Sequence, residues 1–172
     1  MEWKLLGSKL VFDNFTQIEE RTYELPNGLV KKFYIKLARQ SVCILALTPD
    51  NQVLITEQFR PGPGKLLLEL PGGFIDEGET PDKAAARELL EETGYAGDLQ
   101  FVTKCYEDAY FTMHRSCYVA TNCRKVASQQ LDDSEHITLK LLSLAEFLKV
   151  VRAGDMTDVD VALLGLDKLG LL

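Results

Sequence analysis

The 172-residue sequence has no excess of basic charge: 19 Lys and Arg stand against 26 Asp and Glu, for a formal net charge of −7. A protein that binds nucleic-acid phosphates needs a basic surface, and no cluster of Lys and Arg supplies one locally. No apolar run approaches the roughly 20 residues of a membrane-spanning helix. Residues 1–15 lack a long apolar core and a small-residue cleavage site, so they do not resemble a signal peptide. We therefore expect a cytoplasmic protein without nucleic-acid or membrane partners.

The sequence also lacks any C-x-x-C pair among its four cysteines, which are Cys43, Cys105, Cys117 and Cys123. Three of them stand in apolar, strand-like surroundings, which predicts buried, reduced thiols rather than a metal or redox motif. The composition, 46% hydrophobic and 26% charged, is that of an ordinary globular protein. A chain of this length is sufficient for one domain with a sizeable core.

Strand patterns interrupted by helix patterns predict an α/β fold, an α/β/α sandwich around a mixed sheet. Asn27-Gly28 lies between two β-rich arms and predicts a hairpin within residues 9–40. Further strands are predicted at 42–47, 53–56, 65–69, 73–75, 99–106, 115–121 and 137–142. Helices are predicted at 81–93, from a capping box at Ser143 and Glu146 to about 154, and from Thr157 with Asp160 to about 169. We expect a strand extension at 1–40, followed by the main domain at 41–172.

The acidic stretch from 73 to 95, GFIDEGETPDKAAARELLEETGY, contains seven carboxylates. On a helix over 81–93, Glu88 and Glu92 lie on one face with Glu91 beside them. Such carboxylates can share hard divalent cations such as Mg²⁺ or Mn²⁺, and Arg87 can offset part of their repulsion. The alternative is an ordinary acidic helix face in solvent. The helix is expected to face the sheet through Ala85, Ala86 and Leu89.

The fixed positions of this stretch match the signature of the Nudix hydrolases: Gly73, Glu79, Arg87, Glu88, Leu89, Glu91, Glu92 and Gly94, with Tyr95 where that family mostly has an aliphatic residue. The resemblance implies an α/β/α sandwich that hydrolyses a nucleoside diphosphate linked to another moiety, with Mg²⁺ as cofactor and Mn²⁺ as a substitute. It also implies roles for particular residues.

By that resemblance, Glu88 and Glu92 are the main metal ligands, Glu91 assists them, and the Gly72 carbonyl is a further ligand. Arg87 orients the glutamates. Glu79 braces the loop at the N-terminus of the helix.

The flanking segments bear on the substrate. ITEQFRPGPGKLLLELPGG, which includes Arg60 and Glu69, resembles the segment before the motif in ADP-ribose and other nucleotide-sugar pyrophosphatases. In that group the arginine reaches the diphosphate. The resemblance implies cleavage of a nucleoside diphosphate sugar to a nucleoside monophosphate and a sugar phosphate.

The same group often has a proline-containing S-P-G loop and a nearby glutamate about 16 residues past the motif. This chain has YEDAYFTMHRSCYVA there, with His114 near the place of the glutamate. The departure leaves GDP-mannose or UDP-glucose types open beside ADP-ribose. A hydrolase of nucleoside triphosphates or dinucleoside polyphosphates, and a non-catalytic nucleotide sensor, are the alternatives.

The group often places its general base on the loop before the strand at 137–142. Here that loop offers Glu135, favoured by alignment, then Asp133 or His136. The resemblance also implies a homodimer in which N-terminal strands exchange and a partner's residues complete the site. Phe33 and Arg39 are the candidates for that contribution.

Overall fold

The computed structural model describes residues 2–172, which form nine strands and three helices. The strands are β1 (Lys4–Asp13), β2 (Gln17–Glu24), β3 (Val30–Leu37), β4 (Ser41–Leu47), β5 (Gln52–Arg60), β6 (Lys65–Glu69), β7 (Tyr95–Tyr106), β8 (His114–Lys125) and β9 (Thr138–Ser143). The helices are α1 (Pro81–Thr93), α2 (Leu144–Ala153) and α3 (Val159–Lys168). None of the helices in residues 2–172 is long and apolar enough to cross a membrane.

The chain divides into two compact units. The first contains the residues up to Gln40 together with Tyr106–His114, and the second contains Ser41–Cys105 and Arg115–Leu172. The first unit is built on an antiparallel sheet in the order β1-β2-β3. The predicted hairpin is confirmed, because β2 pairs with β3 and the turn places Gly28 at a φ of +80°. The strands begin earlier than predicted, at Lys4 rather than at residue 9.

The second unit contains a mixed sheet in the order β6-β5-β4-β8-β7, with β9 also paired to β5. The pairing of β4 with β8 is parallel, whereas β5 is antiparallel to β4, β6 and β9. Alternate residues of β4 face opposite sides of the sheet. Val42, Ile44 and Ala46 pack in a cluster with α1, and Cys43, Leu45 and Leu47 pack in a cluster with α2 and α3. This arrangement confirms the predicted α/β/α sandwich.

Helix α1 begins and ends where the sequence predicts. Pro81 occupies its first turn, and Gly94 ends it in the left-handed conformation with φ of +74°. Its apolar stripe differs from the prediction. Ala84 is buried beside Ala85 and Leu89, whereas Ala86 is exposed. The prediction was therefore right for Ala85 and Leu89 and wrong for Ala86, whose place in the apolar stripe is taken by Ala84.

Two local predictions about the remaining elements are corrected. The strand expected at 73–75 is only an isolated bridge between Ser41 and Phe74, since the chain turns at once toward α1. Helix α3 begins after Asp158, not at Thr157, whose hydroxyl donates to the Asp158 carboxylate at 2.8 Å. The capping box of Ser143 and Glu146 on α2 is confirmed.

The cysteines are free thiols, as the sequence predicts. Cys43, Cys117 and Cys123 are buried, and Cys105 is half-buried. Burial raises the pKa of the Cys123 thiol to about 11, so this thiol stays protonated and unreactive at neutral pH.

Candidate active site

Two glycines bring the loop after β6 against both the sheet and α1. The β4 amides of Val42 and Ile44 donate to the carbonyls of Gly73 and Pro71, each at 2.9 Å. A Cβ on Gly72 would overlap the Val42 carbonyl and lie 2.9 Å from the Cα of Cys43. A side chain at Gly72 would therefore force the loop away from β4.

Gly73 makes room for a carboxylate instead. A Cβ on Gly73 would lie 2.6 Å from Cδ and 2.7 Å from Oε2 of Glu88. Such distances are well inside ordinary van der Waals contact, so the Glu88 carboxylate rests directly on the backbone of Gly73. The backbone therefore makes a close approach at both Gly72 and Gly73, each with a different partner.

The backbone of Gly72 faces the second main glutamate. Its N–H donates to Oε2 of Glu92 at 2.9 Å. Because the carbonyls of Pro71 and Gly73 both accept from β4, the alternation of an extended chain directs the Gly72 carbonyl to the opposite side, toward Glu92. This orientation suits the carbonyl-ligand role that the sequence predicts.

Arg87 is the centre of an ion-pair network on the exposed side of α1. It donates to both carboxylate oxygens of Glu79, at 3.0 and 2.9 Å, in a bidentate arrangement. It also donates to Glu88 at 2.8 Å and to Glu91 at 3.1 Å. A further bond to the Phe74 carbonyl, at 3.0 Å, ties the loop to the helix. The hydrogen bonds that Arg87 donates to Glu79, and then those to Glu88 and Glu91, raise the Arg87 pKa.

Glu79 closes the loop that precedes α1. Besides its pair with Arg87, it accepts the backbone N–H of Asp76 at 3.1 Å. The hydrogen bond from Arg87 lowers the pKa of Glu79 below its ordinary value, and the bond from Asp76 contributes in the same direction. Glu79 is thus in position to brace the loop, as the motif implies.

Glu88 and Glu92 are carboxylates held away from water. Glu92 is only 5% exposed, and burial raises its pKa to about 8, while the Gly72 N–H acts in the opposite direction. The negative charges of Glu88, Glu135 and Glu69 raise it further. Burial also raises the pKa of Glu88, against the effect of Arg87. Both side chains therefore lie where added positive charge stabilises the ionised form.

These residues fit a divalent cation by their chemistry. Hard cations such as Mg²⁺ prefer carboxylate and carbonyl oxygens, which Glu88, Glu92 and Gly72 supply from adjoining backbone segments. Within residues 2–172, no group of three or more His, Cys, Asp or Glu side chains stands in a metal-binding geometry. Glu88 and Glu91 are turned toward Arg87, and Glu92 is turned toward the Gly72 amide.

Arg60, at the end of β5, is held by Glu69, at the end of β6. The two strands pair antiparallel, and Arg60 Nε donates to Glu69 Oε1 at 2.6 Å while Nη2 donates to Oε2. Gln58 adds a third donor to Glu69 at 3.2 Å. The Glu69 side chain is 7% exposed and the Arg60 side chain 45% exposed. Glu69 therefore orients a guanidinium whose remaining donors can meet an anion.

The loop between β8 and β9 brings Glu135 into electrostatic range of the helix carboxylates. The charge of Glu135 raises the pKa of both Glu88 and Glu92. Glu135 is half-buried, whereas Asp133 and His136, the other candidate bases, are exposed. A turn holds Glu135, because its N–H donates to the Asp132 carbonyl at 2.9 Å.

Phe33 and Arg39 lie in the first compact unit. The Phe33 ring stacks with Tyr110 at a centroid distance of 6.2 Å and an interplanar angle of 19°. It also contacts Trp3 at 5.3 Å and Tyr23 at 6.0 Å. Sequence reasoning singled out Phe33 but missed Trp3 and Tyr23, because alternation along β-strands does not distinguish a surface cluster from a core.

Asp158 was missed as a residue near the site. It is buried, pairs with Arg115, and accepts the backbone N–H of Leu70 at 3.1 Å, two residues before Gly72. The sequence signal was its place just before a predicted helix, because an acidic side chain at the start of a helix can accept from a neighbouring backbone.

Comparisons with known proteins agree with this geometry. The NUDIX domain matches residues 37–159. The chain is 31% identical over 168 residues to an ADP-ribose pyrophosphatase of Bacillus subtilis (strain 168), covering 94% of this chain and 90% of that protein. It is 55% identical over 96 residues to an ADP-sugar pyrophosphatase of Mus musculus, covering 49% and 44% of the two chains.

A solved structure described as an ADP compounds hydrolase has the same fold, with a TM-score of 0.82 at 22% identity, covering 100% of this chain and 98% of the other. A methanol dehydrogenase activator of Bacillus methanolicus is also similar, at 30% identity over 159 residues, covering 88% and 84%. The domain match covers well over half of the chain, and its motif residues converge around Arg87 and the two glycines. The chain therefore belongs to the NUDIX family.

Proposed function

We propose that this NUDIX hydrolase cleaves the diphosphate of ADP-sugars such as ADP-ribose, giving AMP and a sugar phosphate. The observation that carries the proposal is the pair of Glu92, which is buried, and Glu88, which is largely shielded from solvent, against the Gly72-Gly73 backbone, in a chain similar over most of its length to an ADP-ribose pyrophosphatase. Burial raises the pKa of both carboxylates, and the charge of Glu88 raises that of Glu92 further; carboxylates perturbed in this way are costly to stability, so they indicate a functional site.

The residues of the chain divide the work. Glu88 and Glu92, assisted by Glu91 and the Gly72 carbonyl, would hold Mg²⁺, for which Mn²⁺ can substitute. When bound, the cation would neutralise phosphate charge and make the attacking water more acidic. Arg87 orients the glutamates, because its positive charge offsets part of the repulsion between them.

Other residues act on the substrate and the water. Arg60, oriented by Glu69, binds the diphosphate. Glu135 accepts a proton as water attacks one phosphorus, and the P–O–P bond breaks toward the other phosphate. Asp133 is the next candidate base. The negative charge of Glu135 raises the pKa of both Glu88 and Glu92, which supports Glu135 as the base.

We further propose a cytoplasmic homodimer in which an extension at 1–40 precedes the catalytic domain at 41–172, with Phe33 and Arg39 contributing to a partner's site. The apolar side chains of β1 support an assembly, since Leu5, Leu6, Leu10, Val11 and Phe12 are 44–52% exposed along one strand. Exposed apolar strands of this kind mark interaction surfaces. Light scattering on the purified chain tests the mass of the assembly.

The activity is tested with a substrate panel. ADP-ribose, GDP-mannose, UDP-glucose, diadenosine polyphosphates and nucleoside triphosphates are compared by phosphate release, with added phosphatase where needed. We expect the highest kcat/KM on ADP-ribose or another ADP-sugar, lost with a chelator and restored by Mg²⁺. A clear preference for nucleoside triphosphates would contradict the proposal.

A further inference from the structure

The C-terminal end of α1 carries carbonyls that the helix itself does not satisfy, as every helix does in its last turn. Gly94 N–H donates to the Leu90 carbonyl at 2.7 Å. The next two carbonyls accept from a different part of the chain. The Glu91 carbonyl accepts the backbone N–H of Gln130 at 2.8 Å, and the Glu92 carbonyl accepts Nε2 of the Gln129 side chain at 2.6 Å.

The segment that supplies these donors wraps around the end of the helix. Val126 and Ala127 donate their backbone N–H groups to the Gly94 carbonyl at 2.9 and 3.1 Å. A Cβ on Gly94 would overlap the carbonyl of Ala127, so the two backbones are in direct contact. The chain leaves β8 at Lys125 and is therefore fixed to α1 from 126 to 130 before the acidic loop begins.

The acidic loop starts where this attachment ends. Glu135 lies five positions after Gln130, and its charge acts on Glu88 and Glu92. Glu92 is also the residue whose carbonyl accepts the Gln129 side chain. The last turn of α1 thus has two roles. Its Glu92 side chain lies in the site, and its backbone carbonyls bind the segment 129–130 that leads to Glu135.

We propose that Gln129 is a positioning residue for the reaction: its side-chain amide attaches the Glu135 loop to α1 and fixes the distance between Glu135 and the helix carboxylates. The inference rests on the proposed function, since it takes Glu135 as the base. Gln129 is half-buried and bonds to α1 through its side chain. Gln130 is exposed, and its hydrogen bond to α1 is made by its backbone N–H.

The test uses two neighbouring glutamines. Gln129→Met removes the amide donor while keeping a straight chain of similar volume. Gln130→Met makes the same change on an exposed side chain and leaves the backbone bond to Glu91 in place. We expect Gln129→Met to lower kcat about tenfold with little change in KM, because it loosens a general base that contributes about 10²–10⁴-fold. Gln130→Met should match the wild type.

A second background separates positioning from general damage. In Glu135→Gln, the base is already lost, so Gln129→Met should lower kcat no further. An equal further loss in that background would overturn the proposal, because Gln129 would then act by another route. Gln129→Glu, which removes the donor and sets a carboxylate against a carbonyl, serves if the methionine variant does not fold.

Hydrogen–deuterium exchange of metal-free protein gives a readout that needs no activity. Amides in residues 129–136 should exchange faster in Gln129→Met than in the wild type or Gln130→Met. Equal protection in all three would overturn the attachment. If the wild type hydrolyses no nucleotide, the proposed function fails, while the exchange result still decides whether Gln129 holds the loop.

Discussion

Replacing Gly73 by Ala is expected to separate activity from stability. A Cβ at this position would lie 2.6 Å from Cδ and 2.7 Å from Oε2 of Glu88. Ordinary contact between such atoms is about 3.5 Å, so the Glu88 carboxylate must move by about 1 Å. The obstacle is the end of a flexible side chain rather than backbone, and the chain can therefore absorb the change without unfolding.

The two effects differ in size. An off-rotamer Glu88 costs about 0.5–1.5 kcal/mol of folding free energy. A displacement of about 1 Å in a group that positions the reaction can cost about 10²-fold in rate, or roughly 2.7 kcal/mol in the barrier. We therefore expect kcat on ADP-ribose to fall about 10²-fold while the melting temperature falls by only a few degrees.

Gly62→Ala is the matched control, because a Cβ there meets no atom within 4 Å and its φ is not in the left-handed region. Both variants are compared with the wild type by phosphate release and by thermal unfolding. Wild-type kcat in Gly73→Ala, with the fold intact, would refute the reasoning, since it would show that the position of the Glu88 carboxylate does not limit the reaction.

Three further outcomes are expected. Glu92→Gln should lower kcat by at least about 10²-fold, because it removes the charge of a proposed metal ligand. It should not lower the melting temperature, because the amide oxygen still accepts the Gly72 N–H and no charge is buried; a parallel loss of both would instead indicate a structural role. The pKa of Glu79 is lowered in the folded protein. Its pair with Arg87 therefore stabilises the protein at pH values above the ordinary pKa of 4.5, and this contribution is lost as the pH falls through the pKa of the folded state. The stability gap between Glu79→Gln and the wild type, measured by urea unfolding, should therefore be largest at neutral pH and close in acid; a gap independent of pH would contradict this. Arg60→Lys should raise KM about tenfold with a smaller change in kcat. Lysine cannot form the bidentate contact with Glu69 that orients the arginine. An unchanged KM for the ADP-sugar would show that Arg60 does not bind the diphosphate.

The sequence predicted the sandwich well because the signals for it are local. Pro81 and Gly94 delimit α1, Asn27-Gly28 turns the hairpin of β2 and β3, and the buried run of β4 is continuous. The errors lie where tertiary contacts decide. Ala86 and Ala84 have equal helix propensity, and only the packing of α1 against β4 selects which of them is buried.

The candidate site was predictable where one helix carries it and unpredictable where separate segments meet. The spacing placed Glu88 and Glu92 on one face and Arg87 beside them. No local pattern could show that Gln129 caps the end of that helix, or that Asp158 accepts from Leu70. These contacts join residues far apart in the chain, and hydrophobic periodicity carries no information about polar side chains in loops.

The exposure of the acidic side chains on α1 distinguishes between two interpretations, an acidic helix face in solvent and a functional site. A solvated face leaves all its charges in water, but the side chains of Glu88 and Glu91 are 12% and 38% exposed, and Glu92 as a residue is 5% exposed. Arg87 offsets the repulsion of Glu88 and Glu91. Glu92 receives a backbone N–H instead, which only partly opposes the cost of burying its charge. Because a solvated face has no reason to bury a carboxylate at such a cost, the low exposure of Glu88 and Glu92 favours a site that receives positive charge from outside the chain.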